Sequence, residues 1–218
     1  MRILAPLIAI GSCFPQSAAA MTFRVGEDGR ANWVLGIGVI EQGDDERLLR
    51  ILETRQVDTL VLASPGGSVD ASMVLGHVVR DRRLNTVVPT GAECLSACFF
   101  AYVAGNHRWV AEGATLGVHQ FSGGTWNETA ENVQQAAQVV VAELIQFSFE
   151  MGIGIEALHV ALRTPPEEIH IFSRIELERY GLLGKASTIV YGETYEKDCP
   201  FPKEYKLADP MNLYPECH

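Results

Sequence analysis

The sequence predicts a layered α/β domain, and three observations carry that prediction. Short apolar runs rich in β-branched residues, at 57–63, 86–89 and 114–118, alternate with longer stretches whose apolar residues recur every three or four positions. A glycine pair, Gly66-Gly67, stands between one such run and the helical stretch that follows, where a chain reverses sharply. Hydrophobic residues make up 47% of the 218, enough for one domain with a sizeable core. Strands alternating with helices form a sheet covered by helices through right-handed crossovers.

In chain order, residues 21–32 are polar and read as an edge strand or a loose arm. At 33–40, Val34, Gly36, Gly38 and Ile40 alternate, as in a strand that packs close to other backbone. Asp44 or Asp45 is placed to cap a helix whose stripe is Leu48, Leu49, Ile51 and Leu52. A buried strand at 57–63 leads through the glycines to a helix at 69–82, with Val74, Val78 and Val79 toward the core. A strand at 86–89 and a helix at 95–103 follow, then strands at 108–112 and 114–118. Thr125 and Glu128 have capping-box spacing ahead of a long helix carrying Val133, Ala137, Val140, Leu144, Phe147 and Met151. A short helix at 156–163, a break at Pro165-Pro166, and a last helix and strand between 174 and 191 complete the domain.

The ends of the chain carry different signals. Arg2, the apolar stretch 3–10 and Ser17-Ala18-Ala19-Ala20 read as an export signal cleaved near Ala20, so 1–20 is set apart as a signal peptide. Ile10-Gly11-Ser12-Cys13 offers a second reading, a lipoprotein signal ending before Cys13. Either way the chain is expected outside the cytoplasm, in a bacterial periplasm, with no membrane-spanning segment after the signal. Export makes cystines admissible among Cys94, Cys98, Cys199 and Cys217. A Cys199–Cys217 bridge would restrain the proline-rich tail 193–218, and Cys94 and Cys98 either pair locally or lie buried as small apolar residues. The two cysteine pairs lack the close spacing of a zinc site, and no metal is expected. A net charge of −10 leaves no broad basic face for phosphates, which excludes a nucleic-acid partner.

Chemistry concentrates between Ser64 and His119. Gly66-Gly67 is either an ordinary tight turn or a place where backbone N–H groups approach a ligand; no Gly-Lys-Ser/Thr follows, so it is not a phosphate loop, and no cofactor is expected. Ser96 opens an apolar helix, where serine is a common N-cap; its hydroxyl becomes a nucleophile only when a base takes its proton. His119 ends an apolar strand, where a lone histidine is more often structural; brought to a serine, an imidazole supplies a base for acyl transfer. The four lysines lie at 185 and beyond, which favours His119 over a lysine as base.

The ordered combination of Ser64-Pro65-Gly66-Gly67-Ser68, Ser96-Ala97, Gly117-Val118-His119-Gln120 and Tyr180-Gly181-Leu182 resembles the ClpP/crotonase-like superfamily, and most closely its exported Clp protease-like serine peptidase homologues. The resemblance runs from about residue 34 to 191 and implies a ClpP/crotonase-like layered fold of repeated β-β-α units over 21–192. It implies Ser96 as nucleophile, His119 as general base, and an oxyanion hole from the Gly67 and Ala97 amides. The superfamily's third residue, an Asp, falls on Ile169; Glu167 and Glu168 precede it, and either is a candidate to orient His119. Gly91-Ala92-Glu93-Cys94-Leu95 is bulkier and more charged than the superfamily's approach to the nucleophile. The function implied is an exported serine hydrolase, a peptidase acting on peptide or protein substrates and assembled as a homo-oligomer through its long helix. The alternative is an envelope scaffold or binding protein that keeps the fold without turnover.

Overall fold

Trp33 to Ile37 alternate in burial, with Val34 and Gly36 inward and Trp33 and Ile37 exposed, as the pleat of a one-sided sheet requires. The computed structural model describes residues 20–26, 32–122 and 129–186. The expected signal segment, the Thr125–Glu128 capping pair and the Cys199–Cys217 bridge lie outside the described residues. In chain order the elements are β1 (Thr22–Val25), β2 (Trp33–Ile37), α1 (Asp44–Thr54), β3 (Thr59–Ala63), α2 (Val69–Asp81), β4 (Asn85–Val88) and β5 (Glu93–Leu95). Then come α3 (Cys98–Val103), β6 (His107–Val110), β7 (Thr115–Val118), α4 (Ala130–Glu150), α5 (Ile155–Arg163), β8 (His170–Ile171), α6 (Arg174–Arg179) and β9 (Gly184–Lys185).

Among the described residues these make a mixed α/β domain of two sheets and six helices. The larger sheet runs β1-β2-β3-β4-β6-β9, parallel at its centre and antiparallel at both edges. The smaller runs β5-β7-β8, with β5 and β7 parallel and β8 antiparallel. The chain twice passes from a large-sheet strand to a small-sheet strand and then to a helix: β4-β5-α3 and β6-β7-α4. The sheets join where Ser64, just past β3, bridges to Cys94 in β5.

Several sequence expectations shift here for physical reasons. The stretch 95–103 is not one helix: Glu93–Leu95 extend as β5, Ser96 and Ala97 turn, and only Cys98–Val103 is helical. All of α3 is buried, so its sequence is apolar all round and carries no helical period to mark its start. Asp44 does not cap α1. Gly43 is the N-cap, and the buried Asp44 carboxylate accepts from the Glu41 N–H at 2.7 Å and pairs with Arg47. The core position of α2 falls to Leu75, while Val74 is 47% exposed. Helix α4 is capped by the Thr129 side chain, which accepts from the Asn132 N–H. It is anchored by Leu144, Phe147 and Met151, and Val133, Val139, Ile145 and Phe149 stand exposed along it. No helix among the described residues is long and apolar enough to cross a membrane.

One buried cation ties the helix ends together. Arg108 is 1% exposed and donates from Nη1 to the Gly181 carbonyl at 2.6 Å and from Nη2 to the Met151 carbonyl. Arg80 donates to the same Met151 oxygen at 3.0 Å. Met151 closes α4 and Gly181 follows α6, so the guanidinium groups satisfy carbonyls that the helices leave without partners. Burial, then the charge of Arg80, pulls the Arg108 guanidinium down to about 10, and it remains charged at neutral pH. Arg108→Ala strands the Gly181 carbonyl, leaves Met151 to Arg80 alone and opens a cavity, and is expected to cost about 3 kcal/mol in urea unfolding. A loss under about 0.5 kcal/mol, the level of an ordinary surface substitution, would contradict this role.

Candidate active site

The site is built at the carboxyl ends of two neighbouring parallel strands. Leu95, the last residue of β5, pairs with Gly117 of β7; Ser96 directly follows β5, and His119 directly follows Val118, the last residue of β7. The Ser96 N–H donates to the Gly117 carbonyl at 2.9 Å, which fixes the turn against β7. Ser96 has φ 54, in the left-handed region, where a residue with a Cβ costs about 1–2 kcal/mol. Such a turn between a strand and a helix presents a serine hydroxyl away from both elements. The helix cap expected of Ser96 is not what its side chain does: the N-cap of α3 is Ala97, and the Ser96 hydroxyl makes no hydrogen bond among the described residues.

The glycine pair fits against this turn. Gly66 and Gly67 have φ 111 and 146, conformations that side chains resist. A Cβ on Gly66 would lie 2.7 Å from the Ser96 Cβ and 2.8 Å from the Leu95 carbonyl oxygen. A Cβ on Gly67 would lie 2.1 Å from the Ile40 carbonyl oxygen. The Gly66 N–H is already engaged, donating to the Ser64 hydroxyl at 3.1 Å. The Gly67 and Ala97 N–H groups donate to no protein acceptor among the described residues. Two unengaged donors beside one hydroxyl without a hydrogen-bond partner are what a developing oxyanion needs, since they require no reorganisation to receive it.

Ser96 and His119 line one cavity of about 20 Å³, room for roughly a single water. Its other walls are Val69, Phe100, Phe121, Leu144 and Leu162, with Ala97 beside Ser96. Ser96 and His119 are not hydrogen-bonded to each other, as is common at a resting site. His119 Nδ1 is buried with no partner among the described residues. Glu167 and Glu168 do not supply one: both are exposed on the turn before β8, where the Glu168 N–H closes onto the Pro165 carbonyl. Extending the β7–β8 register by one residue sets Ile169 opposite His119, and Ile169 Cγ2 packs beside Gly117. The position facing His119 is apolar.

Two supporting residues escape sequence reasoning. Gln120 donates its N–H to the Thr164 carbonyl at 2.9 Å and its Nε2 to the Leu162 carbonyl at 2.7 Å, tying the chain after His119 to the end of α5. Ser72 on α2 donates its hydroxyl to the Ala97 carbonyl and accepts from the Ala101 N–H, holding the residue after Ser96. Their partners are backbone carbonyls far along the chain, a pairing that composition does not mark. Cys94 and Cys98 form a disulfide, with Cα atoms 5.3 Å apart. Cys94 lies on β5 and Cys98 is the first residue of α3, so the bond spans the turn between strand and helix.

Among the described residues no group of three or more His, Cys, Asp or Glu side chains is placed to hold a metal ion. A wider cleft of about 580 Å³ opens at the opposite, amino-terminal ends of β2, β3 and β4, and its lining contains no serine, cysteine or histidine. No protein-family model matches the chain, and no curated protein matches it. Among solved structures it is similar to a serine-to-alanine mutant of the 1510-N membrane-bound stomatin-specific protease. That likeness has 16% identity and a TM-score of 0.47, and covers 66% of this chain and 73% of that one.

The close approach of Gly66 makes a direct test. Gly66→Ala drives a methyl into the Ser96 turn, and labelling of Ser96 by a fluorophosphonate is expected to fall at least about a hundredfold, the scale of a lost oxyanion donor. Labelling within twofold of wild type in a folded variant would show that the turn does not depend on this contact.

Proposed function

We propose that the chain is an exported serine hydrolase of ClpP/crotonase-like layered fold, acting on peptide bonds through an acyl-enzyme. The observation that carries the reading is the Ser96 turn: a serine held at positive φ beside two unengaged amides, with a histidine in the same cavity. Ser96 Oγ attacks the substrate carbonyl carbon and passes its proton to His119 Nε2. The Gly67 and Ala97 N–H groups receive the oxyanion. His119 returns the proton to the departing amine, and water then repeats the sequence on the acyl ester. The catalytic domain spans 21–192, the signal 1–20 is removed on export, and 193–218 is an appended tail.

The third position defines how this hydrolase differs from a full triad. When Nε2 is the base, Nδ1 carries the ring N–H, and that N–H meets no acceptor. A buried donor left so costs about 1–3 kcal/mol, and the enzyme works as a dyad. The competing reading, a scaffold or binding protein without turnover, draws on the same orphaned nitrogen.

Ester or peptide hydrolysis separates the two readings. Ser96→Ala and His119→Ala are each expected to abolish turnover while leaving the fold intact, because members of a catalytic unit fail together. Activity is expected to fall on acidification, since a protonated imidazole has no lone pair to accept the serine proton. Ile169→Asp supplies the missing acceptor and is expected to raise kcat by about tenfold or more. Equal rates for wild type and Ser96→Ala on every ester tried would leave the scaffold reading standing.

The exposed apolar residues of α4, Val139, Ile145 and Phe149, support a homo-oligomer in the same proposal. Sedimentation at high micromolar concentration is expected to show assemblies that Ile145→Glu disrupts. A monomer throughout would remove that part.

A further inference from the structure

We propose that the Cys94–Cys98 disulfide is a positioning element of the Ser96 site, so that the hydrolase is complete only in its oxidised form. The inference rests on the hydrolase reading above and deepens it. The bond begins on β5, ends at the first residue of α3, and encloses Leu95, Ser96 and Ala97. Those three residues include the nucleophile and one oxyanion donor. The remaining restraints on the turn are non-covalent: the Ser96 N–H to the Gly117 carbonyl, the Ser72 hydroxyl to the Ala97 carbonyl, and the contact with Gly66. Ser96 sits in a backbone conformation that a serine leaves readily when unrestrained, and rotation there swings the Ala97 N–H away from the Gly67 N–H. Closing the ring of residues 94–98 removes that freedom.

Packing alone does not explain the bond. Both cysteines are 0% exposed, and two thiols or two alanines fill such a space as small apolar residues. A cross-link of sequence separation 4 closes one of the shortest loops, where the gain in global stability is least. What the bond adds is local: a fixed path between strand and helix through the nucleophile. The chemistry balances as thiol–disulfide exchange. Two cysteine thiols give up two protons and two electrons to an external disulfide, which leaves as two thiols. In reverse, a dithiol attacks one sulfur, and the mixed disulfide resolves to a cyclic disulfide and two protein thiols. Because both sulfurs are buried, exchange waits on opening of residues 93–98, and the bond acts as a lasting constraint.

The test compares oxidised wild type, wild type reduced with dithiothreitol, and Cys94→Ala/Cys98→Ala, using a p-nitrophenyl ester and a fluorophosphonate. Thiols are counted by maleimide mass shift, and folding is followed by circular dichroism. The expected result is a kcat lower by about tenfold to a hundredfold in the reduced and double-alanine proteins, approaching the loss of one oxyanion donor. KM is expected within about twofold, and the folded spectrum is retained. Labelling of Ser96 then tracks the fraction of oxidised protein. Folded reduced protein with the wild-type kcat overturns the proposal. So does reduced protein that loses its folded spectrum along with activity, since the bond then holds the domain and not the site. Oxidised wild type that neither turns over nor labels removes the hydrolase reading, and this inference with it; equal rates in all three remove this inference alone.

Discussion

The approach of Gly66 to Ser96 is the contact on which the site depends. No side chain fits between them: a Cβ on Gly66 meets the Ser96 Cβ and the Leu95 carbonyl well inside van der Waals contact. That closeness lets Ser64 bridge to Cys94, so the large sheet reaches the small one at the point where both need to turn. On one side the chain enters α2, capped by the Ser68 side chain. On the other it enters α3, the buried helix between the sheets. A glycine with free φ on one strand and a serine forced to positive φ on the next give each other room. The two unengaged amides are a by-product of that mutual fit.

The fold was legible where residues carry a period. Strands β2 and β3 declare themselves by alternation or by a β-branched run, and α5 by its apolar stripe. Legibility ended where burial is complete or an element is very short. Residues 97–103 are all apolar or aromatic and Leu95 is apolar too, so no period separates the three-residue strand β5 from the helix after it. The two-residue strand β8 lies in a stretch of mixed acidic and apolar residues and carries no signal of its own. At the site, chain order and spacing brought attention to Ser96 and His119, which do share a cavity. The left-handed turn at Ser96 was not readable, because serine carries no mark of positive φ as glycine does. Ser72 and Gln120 were invisible for another reason: each serves backbone carbonyls distant in sequence.

His119 is the place where the proposed site departs from a complete triad. An imidazole beside a carboxylate is held in one tautomer and is stabilised when it becomes charged. Here the facing residue is Ile169, and both candidate glutamates point to solvent. His170, by contrast, meets a carboxylate, its Nε2 lying 3.0 Å from Glu176 Oε1. That pair serves the capping box of α6, where hydrogen bonds from the Ser173 side chain and backbone hold the Glu176 carboxyl below its usual range. Carboxylate–histidine pairing therefore exists in this fold but serves helix capping, and the His119 Nδ1 is left without a partner among the described residues.

The central claim is that the Gly67 and Ala97 amides and the Ser96 hydroxyl converge on one point. A crystal structure of the fluorophosphonate adduct tests it most directly, because the tetrahedral phosphorus mimics the intermediate. The predicted result is a covalent Ser96 Oγ–phosphorus bond with the phosphoryl oxygen about 2.7–3.1 Å from both amide nitrogens. An adduct whose phosphoryl oxygen turns away from either amide, or phosphorus found on a residue other than Ser96, would contradict it.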